Sequence, residues 1–212
     1  MASTKLSPLQ RDELSPGDAP NLNKNGVQEK CVTSELGTQL NSSWTFWIDK
    51  PSYGSSAAEY EANLRELYNV SYAEKFWSVY NNIPQPSQIS NRYSYHLMRE
   101  GSKPIWEDAS HCNGGHWKLK CQKKDSDEVW RELLLAAIGE KLSECLAEGD
   151  SINGVSISVR DRDDVVQIWN TNACLADKAT VINRLQQLLP RVEFLTSFYK
   201  AFESHDAFEG KR

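Results

Sequence analysis

From Ser42 onward the apolar and polar residues fall into short runs whose spacing changes from one segment to the next. SSWTFWI, residues 42–48, is dense in strand formers and opens the folded part. Beyond a Gly/Ser-containing loop, the spacing from Tyr60 to Val70 fits a strand or a helix. Ser71-Tyr72-Ala73-Glu74 has the Ser-x-x-Glu form of a capping box and predicts a helix through FWSVYNNI, stopped by Pro84. RYSYHLM at 92–98 and HWKLKC at 116–121 alternate with period two, the second after a Gly-Gly turn. Asp125 to Leu142 carries a helical stripe, with Val129, Leu133, Ala136 and Ile138 near the inner face and Trp130 and Leu134 beside it. GVSISVR and VVQIW, joined by the polar DRDD, predict a hairpin. Asp177 to Leu189 predicts a third helix ended by Pro190, and VEFLTSFY a last strand.

Short-linked strands with three interspersed helices imply an antiparallel sheet covered on one face, an α+β domain over residues 37–212. Residues 1–36 are rich in Ser, Pro, Asp, Asn, Gln and Lys without apolar periodicity, and read as a disordered N-terminal tail. With 212 residues, 39% hydrophobic and 25% charged, the chain is an ordinary soluble domain in composition. A net charge of −5 disfavours sequence-independent binding along a polyanion, so a nucleotide ligand would be gripped locally and DNA is not an expected partner. Cys31, Cys112, Cys121, Cys145 and Cys174 include no C-x-x-C, which leaves no disulfide framework and fits a reducing compartment. No apolar run approaches a membrane span or a signal peptide, and the expected location is cytoplasmic, with a nuclear pool open.

PIWEDASHCNGGHW, residues 104–117, sets an indole beside two carboxylates in a segment bounded by Pro and Gly. A cationic purine is attracted to the face of an aromatic ring such as Trp106. The N1 and amino protons of guanine match the two oxygens of one carboxylate, a role open to Glu107. Neighbouring strand residues point to opposite faces, so the two can serve one ligand only from a loop. Core packing for Trp106 and a solvated position for Glu107 are the plain readings from the residues alone. Trp44, Trp47, Trp117 and Trp130 read as core or half-buried surface. His111, Cys112, His116 and Cys121 are candidate zinc ligands, but their spacing fits no common structural site, and no cofactor is expected. Glu107 and Asp108 are adjacent rather than opposed across a bond, and no nucleophile or phosphate loop accompanies them, so catalysis is not expected.

WTFW at 44–47, EANL at 61–64, EKFWSVYNNIP at 74–84, PIWED at 104–108, GGHW at 114–117, ELLLAAIGE at 132–140, GVSISVR at 154–160 and IWN at 168–170 stand in the same order as in another family. Together they resemble the eukaryotic translation initiation factor 4E proteins, which bind the 7-methylguanosine cap of mRNA. SSWTFW, FWSVYNNIP, SVRDRDDVVQIWN and HDAFEG look most like the third class of that family. The resemblance implies a sheet curved like a cupped hand, the cap on its concave side and three long helices behind. It implies stacking of the methylated base on Trp106, proton acceptance by Glu107, methyl contact from Trp169 and phosphate contact from Arg160. The second stacking ring aligns with Tyr60, where typical members carry Trp, which implies weaker binding than in the principal class. Val165 stands where a phosphate-binding Lys is usual and His116 where an Arg is frequent, with Arg162 and Lys103 as alternative cations. The family docks a helical motif of factor 4G or inhibitory binding proteins on its opposite face, at positions matching Trp77, Glu132 and Leu135. On a helix Phe76 and Trp77 lie about 100° apart, so a core that takes Phe76 leaves Trp77 toward an edge. A monomer is expected.

Overall fold

The computed structural model describes residues 37–50, 57–106 and 111–202. Seven strands are joined by antiparallel pairing throughout: β1 (Gln39–Asp49), β2 (Arg65–Tyr72), β3 (Ser94–Arg99), β4 (Gly115–Gln122), β5 (Ile152–Ser158), β6 (Asp163–Asn170) and β7 (Thr196–Ala201). Their spatial order is β2-β1-β3-β5-β6-β4-β7, one curved sheet with β2 and β7 at its edges. The helices are α1 (Ala57–Asn63), α2 (Ala73–Asn82), α3 (Ser126–Ile138) and α4 (Val181–Leu188).

Strand alternation divides the side chains between two faces. Trp44, Phe46, Tyr95, Leu97, Trp117, Leu119, Val155, Ile157, Val166 and Ile168 join Phe76 and Val79 of α2, six residues of α3 and Val181 and Leu185 of α4 in the main core. The alternate residues belong to the face turned away from α2, α3 and α4. There a second, small cluster of Met98, Trp169 and Phe202 takes Trp47 against it. Trp44, Trp117 and Trp130 are core as expected, and Trp47 is half-buried on the other side.

Several boundaries differ from the sequence expectation. The ambiguous stretch from Tyr60 is both things in turn, the end of α1 and then β2. The capping box at Ser71 does not form: Tyr72 occupies the N-cap without a side-chain bond, the Ser71 hydroxyl meets that of Ser43, and Glu74 accepts from the Thr38 amide. Tertiary partners therefore outbid the local motif. α3 ends at Ile138 because Gly139 closes onto Leu135 and Glu140 turns left-handed at φ 57°. Its bidentate partner Arg99 holds Glu140 there, at 3.0 and 2.6 Å. The helix predicted from Asp177 starts later: Asp177 and Lys178 end a 3₁₀ turn that begins at Ala173, and α4 starts only at Val181. The Gly-Gly pair is not itself the turn. The chain reverses at His111–Asn113, and a Cβ at Gly114 or Gly115 would collide with the Asn170 carbonyl or the Tyr199 hydroxyl, so the glycines permit close strand approach.

Candidate functional site: a cleft on the face opposite the long helices

The floor of the cleft is set by register. His96 of β3 lies opposite Ser156 of β5, Ser156 opposite Gln167 of β6, and Gly154 opposite Trp169. The side chains of His96, Ser156, Gln167 and Trp169 share the face opposite α2, α3 and α4. Of these, His96, Gln167 and Trp169, with Asp49, Ser94, Ser158 and His116, line a cavity of about 240 Å³. Its rim comes from outside the sheet: Tyr60 from α1, Pro104 and Trp106 from the segment after β3, Arg160 from the β5–β6 connection and Phe202 just past β7.

Trp106 is 44% exposed, an open indole at the mouth of the cleft, whereas Trp169 is 6% exposed and forms part of its wall. The Trp169 indole is fixed by a bond from Nε1 to the Ser156 hydroxyl at 3.0 Å. Since the indole only donates, Ser156 can donate onward to Nδ1 of His96 at 2.7 Å, which leaves the His96 Nε2 proton directed at Asp49, 3.5 Å away. Asp49 is buried, and its Oδ1 has no hydrogen-bond partner. Burial pushes its carboxyl up, but the adjacent His96 imidazole, with the Tyr60 and Ser94 hydroxyls, outweighs that and holds it below the usual value. The Pro104 carbonyl, 3.3 Å from the same Tyr60 hydroxyl, is the alternative acceptor for its single proton, which links the two sides of the rim.

His111 is a structural pin rather than a metal ligand. It is fully buried; Nε2 donates to the Lys103 carbonyl at 2.8 Å, and Nδ1 then accepts from the Asn153 amide at 3.0 Å. This fixes the backbone three residues before Trp106. Of the other candidate ligands, Cys112 is exposed, His116 lines the cleft and Cys121 is buried on the helix side. Among the described residues no group of three metal-ligating side chains occurs.

Arg160 is exposed, and its turn is tied down by Asp164, which accepts from the Arg160 amide at 2.9 Å and pairs with Lys123 at 2.6 Å. Across the same face Lys118 is half-buried; burial and the charges of Arg160, Lys200 and Lys120 all push its ammonium down. Arg160 lines the cleft, and Lys118, Lys120 and Lys200 stand near enough for their charges to act together with it at Lys118. Arg162 stands apart, in a separate depression with Lys123, Lys124 and Leu195, and Lys103 pairs with Glu61 at 2.8 Å. Glu107 and Asp108 lie outside the described residues. The structure thus brings together Trp106, Tyr60, Trp169 and Arg160. The sequence reading missed Asp49, His96, Ser156 and Lys118, although the period-two patterns of RYSYHLM and HWKLKC already put His96 and Lys118 opposite the apolar face.

On the helix side, Phe76 is 1% exposed and Trp77 41%, as their angular separation requires. Trp77 packs edge-on to Tyr80, whose phenol feels the charges of Arg131, Asp127 and Glu132 of α3. Glu132 and Leu135 are half-buried on α3.

A profile of the family described as Eukaryotic initiation factor 4E matches residues 39–211. Eukaryotic translation initiation factor 4E-1 of Phaseolus vulgaris is 41% identical over 134 residues, 63% of this chain and 56% of that protein. The 4E-1 protein of Lactuca sativa is 35% identical over 165 residues, 78% of this chain and 68% of that one. The chain thus spans between 55% and 68% of the length of such curated relatives. A solved complex of C. elegans eIF4E-3 with the 4E-binding protein Mextli and a cap analog superposes with TM-score 0.69 at 30% identity, over 79% of this chain and 94% of that one. Ascaris suum eIF4E-3 with an m2,2,7G cap gives 0.64 at 28% identity, over 75% and 91%. A profile match across nearly all the described sheet and helices, with relatives of this similarity, means that the chain belongs to the eukaryotic initiation factor 4E family.

Proposed function

We propose that this chain binds the 7-methylguanosine cap of mRNA in the concave cleft and acts in translation initiation or its regulation. The observation that carries the reading is the exposed indole of Trp106 at the mouth of a cavity it shares with Tyr60, Trp169 and Arg160. Methylation at N7 fixes a positive charge on the base, and a charged ring is drawn to the negative faces of Trp106 and Tyr60. Trp169 meets the methyl group, Glu107 accepts the N1 and N2 protons, and Arg160 with Lys118 meets the phosphates. The binding is noncatalytic. Solved relatives hold cap ligands, which supports the same role here. Quenching of tryptophan fluorescence by 7-methylguanosine triphosphate against GTP tests it: a clear preference for the methylated ligand is expected, and equal affinity would sink it.

A second reading rests on the exposed Trp77. In it the cap is held weakly and the face formed by Trp77, Glu132 and Leu135 works by docking a helical motif of factor 4G or an inhibitory binding protein. A solved relative carries the 4E-binding protein Mextli. In a pull-down with such a peptide, Trp77→Ala should lose the partner and Trp106→Ala should keep it.

A further inference from the structure

Beyond the cleft, the same face of the sheet continues across β4 to the edge strand β7. Lys118 lies opposite Gln167 on one side and opposite Phe198 on the other, while His116 lies opposite Lys200 and Lys120 opposite Thr196. Strands are spaced by about 4.8 Å, so Phe198 sits roughly 10 Å from the Gln167 position that lines the cleft. Phe198 is 50% exposed. A lone exposed Phe needs no explanation. This one is flanked on its own face by three lysines. Among the described residues none of Lys118, Lys120, Lys200 and Arg160 takes part in an ion pair, in a chain whose net charge is −5. The crowding is felt at Lys118, whose ammonium is pushed down by burial and by the other three cations.

An aromatic plate among unpaired cations, continuous with a nucleotide cleft, has the chemistry of a single-stranded nucleic-acid track: bases stack on the ring and the backbone follows the charges. A protein-docking patch would surround the ring with apolar side chains instead. We propose that the concave face of β4 and β7 carries such a track, in which Phe198 stacks a base of the RNA just downstream of the cap and Lys120 and Lys200 hold its phosphates. The inference rests on the cap reading above and extends it from one nucleotide to the chain attached to it. Sequence is not read there, because every base offers a face.

The test compares 7-methylguanosine triphosphate with a capped RNA octamer and the same octamer uncapped, by fluorescence titration of folded protein checked by thermal melting. The capped octamer should bind wild type at least about fivefold more tightly than the mononucleotide, and Phe198→Ala should remove that advantage while changing mononucleotide affinity less than about twofold. Lys120→Gln should lower the salt slope for the capped octamer by about 1. Equal binding of octamer and mononucleotide by wild type, or an advantage that survives Phe198→Ala, overturns the track and leaves the cap reading intact. Loss of both ligands alike in Phe198→Ala also overturns it. Wild type that ignores the mononucleotide, yet holds the octamer through Phe198, overturns the cap reading and keeps the track.

Discussion

Asp49 pairs in register with Ser94, yet its carboxylate reaches diagonally to His96 on the same neighbouring strand, 3.5 Å from Nε2. The two thereby form the buried end of a relay that runs through Ser156 to the indole of Trp169. This couples an ionised group to the placement of a wall residue.

Because the folded protein holds Asp49 below its usual value near 3.8, the native state binds fewer protons there than the unfolded chain. The stability it contributes is present above that pH and is lost as pH falls through the lower folded value. Asp49→Asn should be less stable than wild type by about 1–3 kcal/mol at neutral pH, with the gap narrowing in acid below 3.8. Urea melts on both sides of that window check it; a gap independent of pH would refute the assignment.

Cys121 gives the opposite slope. It is fully buried, and burial pushes its thiol from 9.0 up to about 11, so the native state keeps the proton that the unfolded chain releases. Its contribution is complete below pH 9.0 and declines as pH rises toward about 11. Cys121→Ala should lack this alkaline component. In native wild type at mild pH, thiol reagents should mark the exposed Cys112 and Cys174 and spare Cys121, as peptide mapping would show.

Asp164 is 1% exposed and serves the Lys123 ammonium, the Ser126 hydroxyl and the Arg160 amide together. Asp164→Ala strands these partners and should cost about 2–4 kcal/mol in chemical denaturation. It should also weaken triphosphate binding relative to the nucleoside, since the turn that presents Arg160 loses its anchor. Equal effects on both ligands would mean the turn does not position Arg160.

Arg99 caps the helix side. Its guanidinium bonds both oxygens of Glu140, the Ile152 carbonyl at 2.6 Å and the Ser42 hydroxyl, and lies 4.6 Å from the Trp44 ring centre. Lysine cannot supply that fork. Arg99→Lys should lower stability by about 1–3 kcal/mol and leave affinity for a cap analogue within about twofold of wild type.

Where a pattern and its burial agree, the elements were legible: the β5–β6 hairpin, Val129, Leu133 and Ala136 on the inner side of α3 and the Phe76/Trp77 division follow directly from spacing, whereas Ile138 of the same stripe is only half-buried and Trp130 and Leu134 are fully buried. Local motifs failed where a distant group competed. Ser71 lost its capping role to a hydroxyl on another strand, and the helix expected from Asp177 forms only from Val181, with Asp177 and Lys178 ending a 3₁₀ turn. In the cleft, aromatic residues stood out because an indole beside an acid is unusual. The Asp49–His96–Ser156 relay did not, because its members are 47 and 60 positions apart and only register brings them together, as the separations 96 − 49 and 156 − 96 make plain.

The two aromatic clusters, one behind the sheet and one before it, share no side chain. A partner seated on Trp77 and a nucleotide seated on Trp106 would then communicate through the bend of the strands between them. Substitutions on the two sides should combine additively unless that bend changes. A departure from additivity between Trp77→Ala and Trp106→Ala would thus measure the sheet as a spring.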